Sequence, residues 1–258
     1  MKENIIRLLI CIVLLLCSRI SAEDIWGAQY PAPSPDAKKI SFSYYGDIWV
    51  VPVSGGKAER LTVSLGYEGR SSWSPDRKWL AFQTDQWGSD DICVIVADGS
   101  SPAKRMTYYS TYDVLYGWTP DSKNVVFTSQ RHTLRPVLYK VSIYGGLPEM
   151  ITSFTAYHVF FASQGDRFFY TRGGSAWWRR HYKGGANSDI WVKVLPDKNS
   201  LRLTDYPGKD AYPMYSAVDQ KLYFLSDRGK MSVSNIWRMD LETEAFEQMT
   251  FEKEDIHF

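Results

Sequence analysis

The chain has 258 residues, and its 30 lysines and arginines nearly balance its 29 aspartates and glutamates. That near-neutrality excludes a global field that would draw it onto nucleic acid or an anionic membrane. Hydrophobic content of 44% and charged content of 23% are ordinary for a globular chain, and 10 Trp, 17 Tyr and 12 Phe favour strands, whose pleated surface suits aromatic rings.

Residues 1–22 read as a signal peptide. Lys2 and Arg7 form a basic start, Leu8 to Cys17 is an unbroken apolar run of ten residues, and Ser18 to Ala22 ends on a small residue. This is the layout of a secretory leader cleaved between Ala22 and Glu23. Ten residues fall short of the roughly 20 that span a bilayer. Export to the periplasm or outside the cell is therefore expected, with no membrane association after cleavage. Removal of Cys11 and Cys17 leaves Cys93 alone, so the mature fold must rest on its core and not on a disulfide. Cys93 sits in the apolar run Ile92 to Val96 and reads as a buried structural thiol.

Residues 23–258 then repeat one unit, in approximate copies at 29–62, 69–107, 114–152, 158–204 and 211–250. Each opens on a turn, Ser34-Pro35-Asp36, Ser74-Pro75-Asp76 or Thr119-Pro120-Asp121, which degenerates to Gln164-Gly165-Asp166 and Ala217-Val218-Asp219. Proline presets φ and aspartate bonds back to the following backbone, which suits a tight turn. An apolar stretch follows: Ile40-Ser41-Phe42, Leu80-Ala81-Phe82, Val125-Val126-Phe127, Phe168-Phe169-Tyr170 and Leu222-Tyr223-Phe224. Next comes a strand led by Asp47-Ile48-Trp49, Asp91-Ile92-Cys93, Val137-Leu138-Tyr139, Asp189-Ile190-Trp191 or Asn235-Ile236-Trp237. Ser54-Gly55-Gly56 and Tyr144-Gly145-Gly146 supply the positive φ of a hairpin. The units close on Leu61-Thr62, Met106-Thr107, Ile151-Thr152, Leu203-Thr204 and Met249-Thr250.

The closing threonines lie 45, 45, 52 and 46 residues apart, a period that matches one four-stranded propeller blade. The expected fold is all-β: a β-propeller of four-stranded antiparallel blades, five complete, with residues 251–258 starting a sixth. On that count the chain reads as a fragment of a larger ring, in which the first and last blades each lack a neighbour.

At the level of Ser-Pro-Asp, Asp-Ile-Trp and Leu-Thr the chain resembles the WD-like Pro-Asp repeats of TolB-type propellers. The run Arg172 to Gly185, with Trp177-Trp178-Arg179-Arg180-His181-Tyr182-Lys183 at its centre, and the opening Tyr30-Pro31-Ala32-Pro33-Ser34-Pro35-Asp36 resemble the first propeller of tricorn-type proteases. The resemblance covers nearly all of the mature chain. It implies a six-bladed propeller that guides peptides ahead of a second propeller, a PDZ domain and serine peptidase domains, and it allows an oligomer. No catalytic residue is expected here, and a stand-alone TolB-like protein-binding propeller is the alternative.

The residues agree with that expectation. His132, His158, His181 and His257 have no partner at zinc-site spacing, and no cysteine pair exists to hold a metal, so neither metal nor cofactor is expected. Gly173-Gly174-Ser175-Ala176-Trp177 fails as a nucleophile elbow because Trp177 stands where glycine belongs. The aspartate before Ile-Trp recurs once per unit and reads as a structural hydrogen-bonding group. The candidate binding site is the insertion of the fourth unit, with Trp177, Trp178, Arg179, Arg180, His181 and Lys183, because tryptophan and arginine dominate binding hot spots. In an antiparallel meander this loop should lie beside the blade-to-blade link at Asp205 to Asp210. Peptides, downstream peptidase domains or a protein partner are the expected ligands; nucleic acid is not.

Overall fold

The computed structural model describes residues 26–174, 182–195, 199–229 and 233–256. They form five four-stranded antiparallel sheets in which spatial order follows chain order, with no helix among the described residues. Blade one is β1 (Gln29–Pro33), β2 (Lys39–Tyr44), β3 (Asp47–Pro52) and β4 (Glu59–Arg60); blade two is β5 (Glu68–Trp73), β6 (Trp79–Thr84), β7 (Asp91–Val96) and β8 (Lys104–Arg105). Blade three is β9 (Asp113–Trp118), β10 (Asn124–Ser129), β11 (Val137–Ser142) and β12 (Glu149–Thr155). Blade four is β13 (Tyr157–Phe161), β14 (Arg167–Arg172), β15 (Asp189–Val194) and β16 (Ser200–Arg202). Blade five is β17 (Asp210–Ser216), β18 (Lys221–Ser226), β19 (Asn235–Asp240) and β20 (Phe246–Gln248).

The Pro-Asp turns are made as their chemistry requires. Ser34 Oγ donates to Asp36 Oδ1 at 2.7 Å and accepts the Lys39 N–H at 3.0 Å. Ser74 with Asp76 and Thr119 with Asp121 repeat the first bond at 2.6 Å. The next residue is left-handed each time: Ala37 at φ 53°, Arg77 at 66° and Ser122 at 61°. Unit four corrects the register read from sequence. Gly165, at φ 75°, donates to Ala162 O as Ala37 does to Ser34 O. The turn is therefore Ala162-Ser163-Gln164-Gly165, two residues ahead of Gln164-Gly165-Asp166. Glycine marks the left-handed position there, and Asp166 lies beyond it.

One hydrogen bond recurs in all five blades. The second residue of each third strand gives its N–H to the closing threonine, with Ile48 to Thr62 Oγ1 at 2.9 Å and Ile92 to Thr107 at 2.9 Å. Leu138 to Thr152 follows at 3.1 Å, Ile190 to Thr204 at 3.0 Å and Ile236 to Thr250 at 2.9 Å. In blades one, two and four the residue before that strand position is the recurring aspartate, and its partner is an arginine two residues before the threonine; Val137 and Asn235 stand there in blades three and five. Arg105 meets Asp91 at 2.7 Å and Arg202 meets Asp189 at 2.9 Å, with Arg60 paired to Asp47. Arg60 Nε and Arg105 Nε also donate to the carbonyls of Thr62 and Thr107, at 3.1 and 2.8 Å. The aspartate is thus structural, and Arg-hydrophobic-Thr is the fuller form of the closing motif.

Each blade is apolar on both faces, and the faces are buried blade against blade. Ile48, Trp73, Leu80, Phe82 and Cys93 pack between blades one and two, and Ile92, Met106, Trp118 and Phe127 between two and three. Leu138, Phe168 and Tyr170 fill the third interface, and Phe169, Ile190, Leu222 and Phe224 the fourth. Trp73 Nε1 and Trp118 Nε1 cross to the preceding blade, donating to Ala32 O and Ser72 O at 3.0 Å. Among the described residues no comparable cluster joins blade five to blade one. Cys93 is 2% exposed, and burial pushes its thiol up to about 12, so it is an inert core residue.

Two substitutions test this frame. Thr107→Val keeps the shape but strands the buried Ile92 N–H, and unfolding by urea should show a loss of about 1–3 kcal/mol. The exposed change Val218→Thr should stay within about 0.5 kcal/mol. Glu68, buried at the entry to blade two, accepts a hydrogen bond from the Thr62 hydroxyl. Burial first, then the nearby Asp47 carboxylate, raises its pKa from 4.5 to about 6 against the opposing Thr62 bond. A raised carboxylate pKa means the ionised form costs stability above pH 6, and the cost disappears as pH falls toward 4.5. Glu68→Gln should therefore stabilise the fold at pH 7.5, by up to about 2 kcal/mol. The gain should shrink as pH falls through 6 and vanish below about 4.5.

Candidate functional site

The first strands of the five blades, β1, β5, β9, β13 and β17, are the inner strands. Each carries a bulge against its neighbour, located between Gln29 and Ala32, Gly69 and Ser72, Leu115 and Gly117, Tyr157 and Phe160, and Ala211 and Met214. In four blades the bulge opens on a large left-handed residue: Tyr30 at φ 52°, Arg70 at 47°, His158 at 47° and Tyr212 at 57°. In blade three Gly117 takes the positive angle, at 141°. Left-handed backbone costs a non-glycine residue roughly 1–2 kcal/mol, and a bulge re-aims the side chain it carries.

Those side chains line a cavity of about 810 Å3 on the propeller axis, together with residues such as Tyr116 and Phe160. The second half of the inner strands lines a further cavity of about 470 Å3, with Trp73, Trp118, Phe161 and Tyr215 beside Pro35, Pro75 and Pro120. Tyr116, Val159 and Phe160 border both cavities. The larger one opens on the face carrying the blade-to-blade links. The smaller one opens among the Pro-Asp turns.

His158 stands at the centre of the larger cavity. Its ring stacks on Tyr212 with centroids 3.6 Å apart and meets Tyr116 edge-on at 6.3 Å. The Thr171 hydroxyl accepts the Tyr212 N–H at 3.2 Å and faces His158 Nδ1 at 3.2 Å. The hydroxyl can donate to Nδ1 or accept from it with its second lone pair, so it holds the ring in place with either tautomer. Burial, then the charges of Lys209 and Arg70, lowers the His158 pKa to about 3. The ring is neutral across the physiological range. Burial likewise raises the phenols of Tyr116 and Tyr212, so both stay protonated.

Of the residues expected from sequence to form a site, Lys183 is exposed on a surface cavity of about 490 Å3 shared with Arg172, Asp205 and Tyr206. Trp177, Trp178, Arg179, Arg180 and His181 lie outside the described residues. The base of the loop lies where the meander topology places it. Asn187 Nδ2 donates to Tyr206 O at 2.8 Å, and Asp210 N donates to Ser188 O at 2.9 Å. Gly173, at φ 107°, closes that base so tightly that a Cβ would sit 1.9 Å from Asn187 O. Only glycine fits there.

The axial residues were not singled out from sequence, although a signal exists. Tyr30, Arg70, His158 and Tyr212 each precede their blade's buried ring, Phe42, Phe82, Tyr170 and Phe224, by 12 residues. Among the described residues no three His, Cys, Asp or Glu side chains cluster as a metal site.

The sequence profile described as the tricorn protease N-terminal beta propeller domain matches residues 29–257. A tricorn protease homolog of Saccharolobus solfataricus is 27% identical over 228 residues, which is 83% of this chain and 20% of the relative. The chain thus spans about a fifth of that protein's length. Among solved structures, the tricorn protease superposes with a TM-score of 0.72 at 20% identity, over 87% of this chain and 22% of that one. A putative TolB from Agrobacterium tumefaciens superposes with a TM-score of 0.70 at 18% identity, over 86% of this chain and 79% of that one. At such identities both likenesses establish the fold alone.

Proposed function

The chain belongs to the family of tricorn protease N-terminal beta propeller domains, and from that premise we propose that it guides peptides for a tricorn-like serine peptidase centre carried on other domains. The observation that carries this reading is the pair of axial cavities, framed by the inner strands of all five blades and sharing Tyr116, Val159 and Phe160. Their volumes of about 470 and 810 Å3 fall in the range of small-ligand and short-peptide sites. The surrounding backbone is engaged in sheet pairing, so the frame is formed before the ligand arrives. Trp177, Trp178, Arg179, Arg180, His181 and Lys183 are a second contact in this proposal, supported by the position of the loop base beside the link to blade five.

The basic, apolar and small-residue layout of residues 1–22 supports export, with mature protein beginning at Glu23. Residues 251–256 are proposed as the link into a sixth repeat. Ile256 N donates to Ser234 O at 3.0 Å, as Glu68, Asp113 and Asp210 donate to Gly46, Asp90 and Ser188 at the other links. A second reading is a stand-alone protein-docking propeller, since a propeller of this fold makes up 79% of one solved chain.

Fluorescence anisotropy with labelled, unstructured peptides separates the two. The guiding role expects saturable binding and intact peptide after prolonged incubation, with Trp178→Ala and Arg180→Ala each weakening binding about ten-fold or more. Retention of a folded protein with no peptide binding would favour the docking role, and turnover by the chain alone would contradict a non-catalytic module. Mass spectrometry of the exported protein should give an N-terminus at Glu23; protein retained in the cytoplasm and starting at Met1 would refute the leader.

A further inference from the structure

We propose that the joint between blades one and two is a proton-operated latch on the side of the axial cavity: protonated Glu68 holds blade one closed against blade two, and ionised Glu68 loosens it. The latch acts whatever the cavity binds.

The other joints single out Glu68. Where blade three follows blade two, two buried acids meet two arginines: Asp91 pairs with Arg105 and Asp113 with Arg131, both at 2.7 Å. Where blade five follows blade four, Asp189 pairs with Arg202 and Asp210 with Arg228. Between blades one and two Asp47 pairs with Arg60, but buried Glu68 has no lysine or arginine within ion-pair distance among the described residues. The place of the missing cation is identifiable. Arg131 and Arg228 each stand two residues past the strand residue that pairs with the acid. Each donates its N–H to the hydroxyl of that residue, Ser129 or Ser226, at 3.3 Å. In blade two Glu68 pairs with Thr84, and the residue whose N–H reaches the Thr84 hydroxyl at 3.3 Å is Gln86. The backbone arrangement is kept and the charge is gone.

Glu68 is also where the two blades meet. Its N–H donates to Gly46 O at 2.8 Å, its carbonyl accepts the Ser43 hydroxyl, and its carboxylate accepts the Thr62 hydroxyl that clamps Ile48. The charged groups nearby leave it uncompensated. Arg60 of β4 is committed to Asp47 of β3, Cys93 of β7 is a neutral thiol, and Asp85 holds the Tyr67 N–H at 2.7 Å. Arg70, further along β5, lies 5.2 Å over the Tyr30 ring. Burial raises the Glu68 pKa to about 6, the Thr62 and Ser64 hydroxyls oppose the rise, and Asp47 adds to it. Burial also raises Asp113 and Asp210, but there Arg131 and Arg228 oppose it. An acid with a raised pKa favours the joined state when protonated, so this joint tightens as pH falls through 6 and loosens as pH rises. Among the described residues the clustered apolar packing of blade one is against blade two alone. Its inner strand places Gln29, Tyr30 and Pro31 in the cavity wall next to Arg70 and Ser71 of blade two. Loosening the joint therefore opens the cavity from the side.

Two rates measured on the full chain test the latch. Hydrogen exchange read by mass spectrometry and corrected for intrinsic rates reports the opening of residues 39–60. Labelling of Cys93, which is buried between blades one and two, by a thiol reagent reports exposure of the joint, with the denatured chain at the same pH as reference. A carboxyl moved from 4.5 to about 6 changes the opening equilibrium about eight-fold between pH 5 and pH 7.5. Both rates should rise by that factor, while exchange in residues 157–172 of blade four, whose joint has Val137 and Tyr157 in place of the two acids, stays level. Glu68→Gln should keep blade one closed at pH 7.5 and flatten the profile. Gln86→Arg, which returns the missing guanidinium, should do the same with the carboxylate still present. Rates independent of pH would overturn the latch, as would a rise that survives either substitution. An equal rise in blade four would also overturn it, since the chain would then open as a whole.

Discussion

A single backbone donor sets the terms of this fold. In four blades the outermost strand is short, only Glu59–Arg60 in blade one and Lys104–Arg105 in blade two, and does not cover the start of the third strand. In blade three it is longer, Glu149–Thr155, but its pairing is interrupted between Val137 and Tyr139. The N–H groups of Ile48, Ile92, Leu138 and Ile190 belong to residues with no measurable exposure, where an unmade hydrogen bond costs about 1–3 kcal/mol. A threonine hydroxyl satisfies each of them, placed just past the outer strand in blades one, two and four and within it in blade three. The same threonine carbonyl then receives Arg60 or Arg105, whose guanidinium reaches the aspartate beside the satisfied donor. The clamp joins strand end, link and blade core in one network, and everything inward of it depends on that closure.

The clamp also explains why so much of the architecture was legible in residues alone. Thr62, Thr107, Thr152, Thr204 and Thr250 are held by a requirement of the backbone, each 14 residues after the donor it satisfies, or 15 in blade two, and so they mark the blades directly. The Pro-Asp turns are legible for the same reason, since Ser34, Ser74 and Thr119 each use the hydroxyl and carboxylate geometry that the tripeptide encodes. Unit four misled because its turn is carried by Gly165 alone. Glycine meets the left-handed requirement without any side-chain bond, so the neighbouring Asp166 was mistaken for the marker. It pairs instead with adjacent Arg167, at 2.7 Å.

The axial residues were hidden for a different reason. Pattern reading of a strand relies on strict alternation, with successive side chains on opposite faces. A bulge breaks that alternation by one residue, and every inner strand has one. Tyr30, Arg70, His158 and Tyr212 therefore occupy positions that regular pairing would assign to another face. They also do not recur by residue type, with two tyrosines, an arginine and a histidine, because the bulge constrains backbone and leaves the side chain free to vary. What repeats is their distance from the buried ring of the next strand. In a propeller, then, residues held by structure recur by identity, and residues available to function recur only by position.

This division gives the axis its direction. The inner strands all run the same way along it, so the first half of every one faces the link side and the second half faces the turns. The turn side inherits its chemistry from the turns themselves: Pro35, Pro75 and Pro120 are there because a tight turn needs them, and they make that mouth apolar. The link side has no such obligation. Its bulges carry whatever side chains the sequence supplies, and here they supply three aromatic rings and one guanidinium. The difference between the two mouths thus follows from where the fold spends its own residue requirements. Arg131, by contrast, is built into its blade, paired with Asp113 at 2.7 Å and packed on Phe127 and Tyr139 at 5.1 Å.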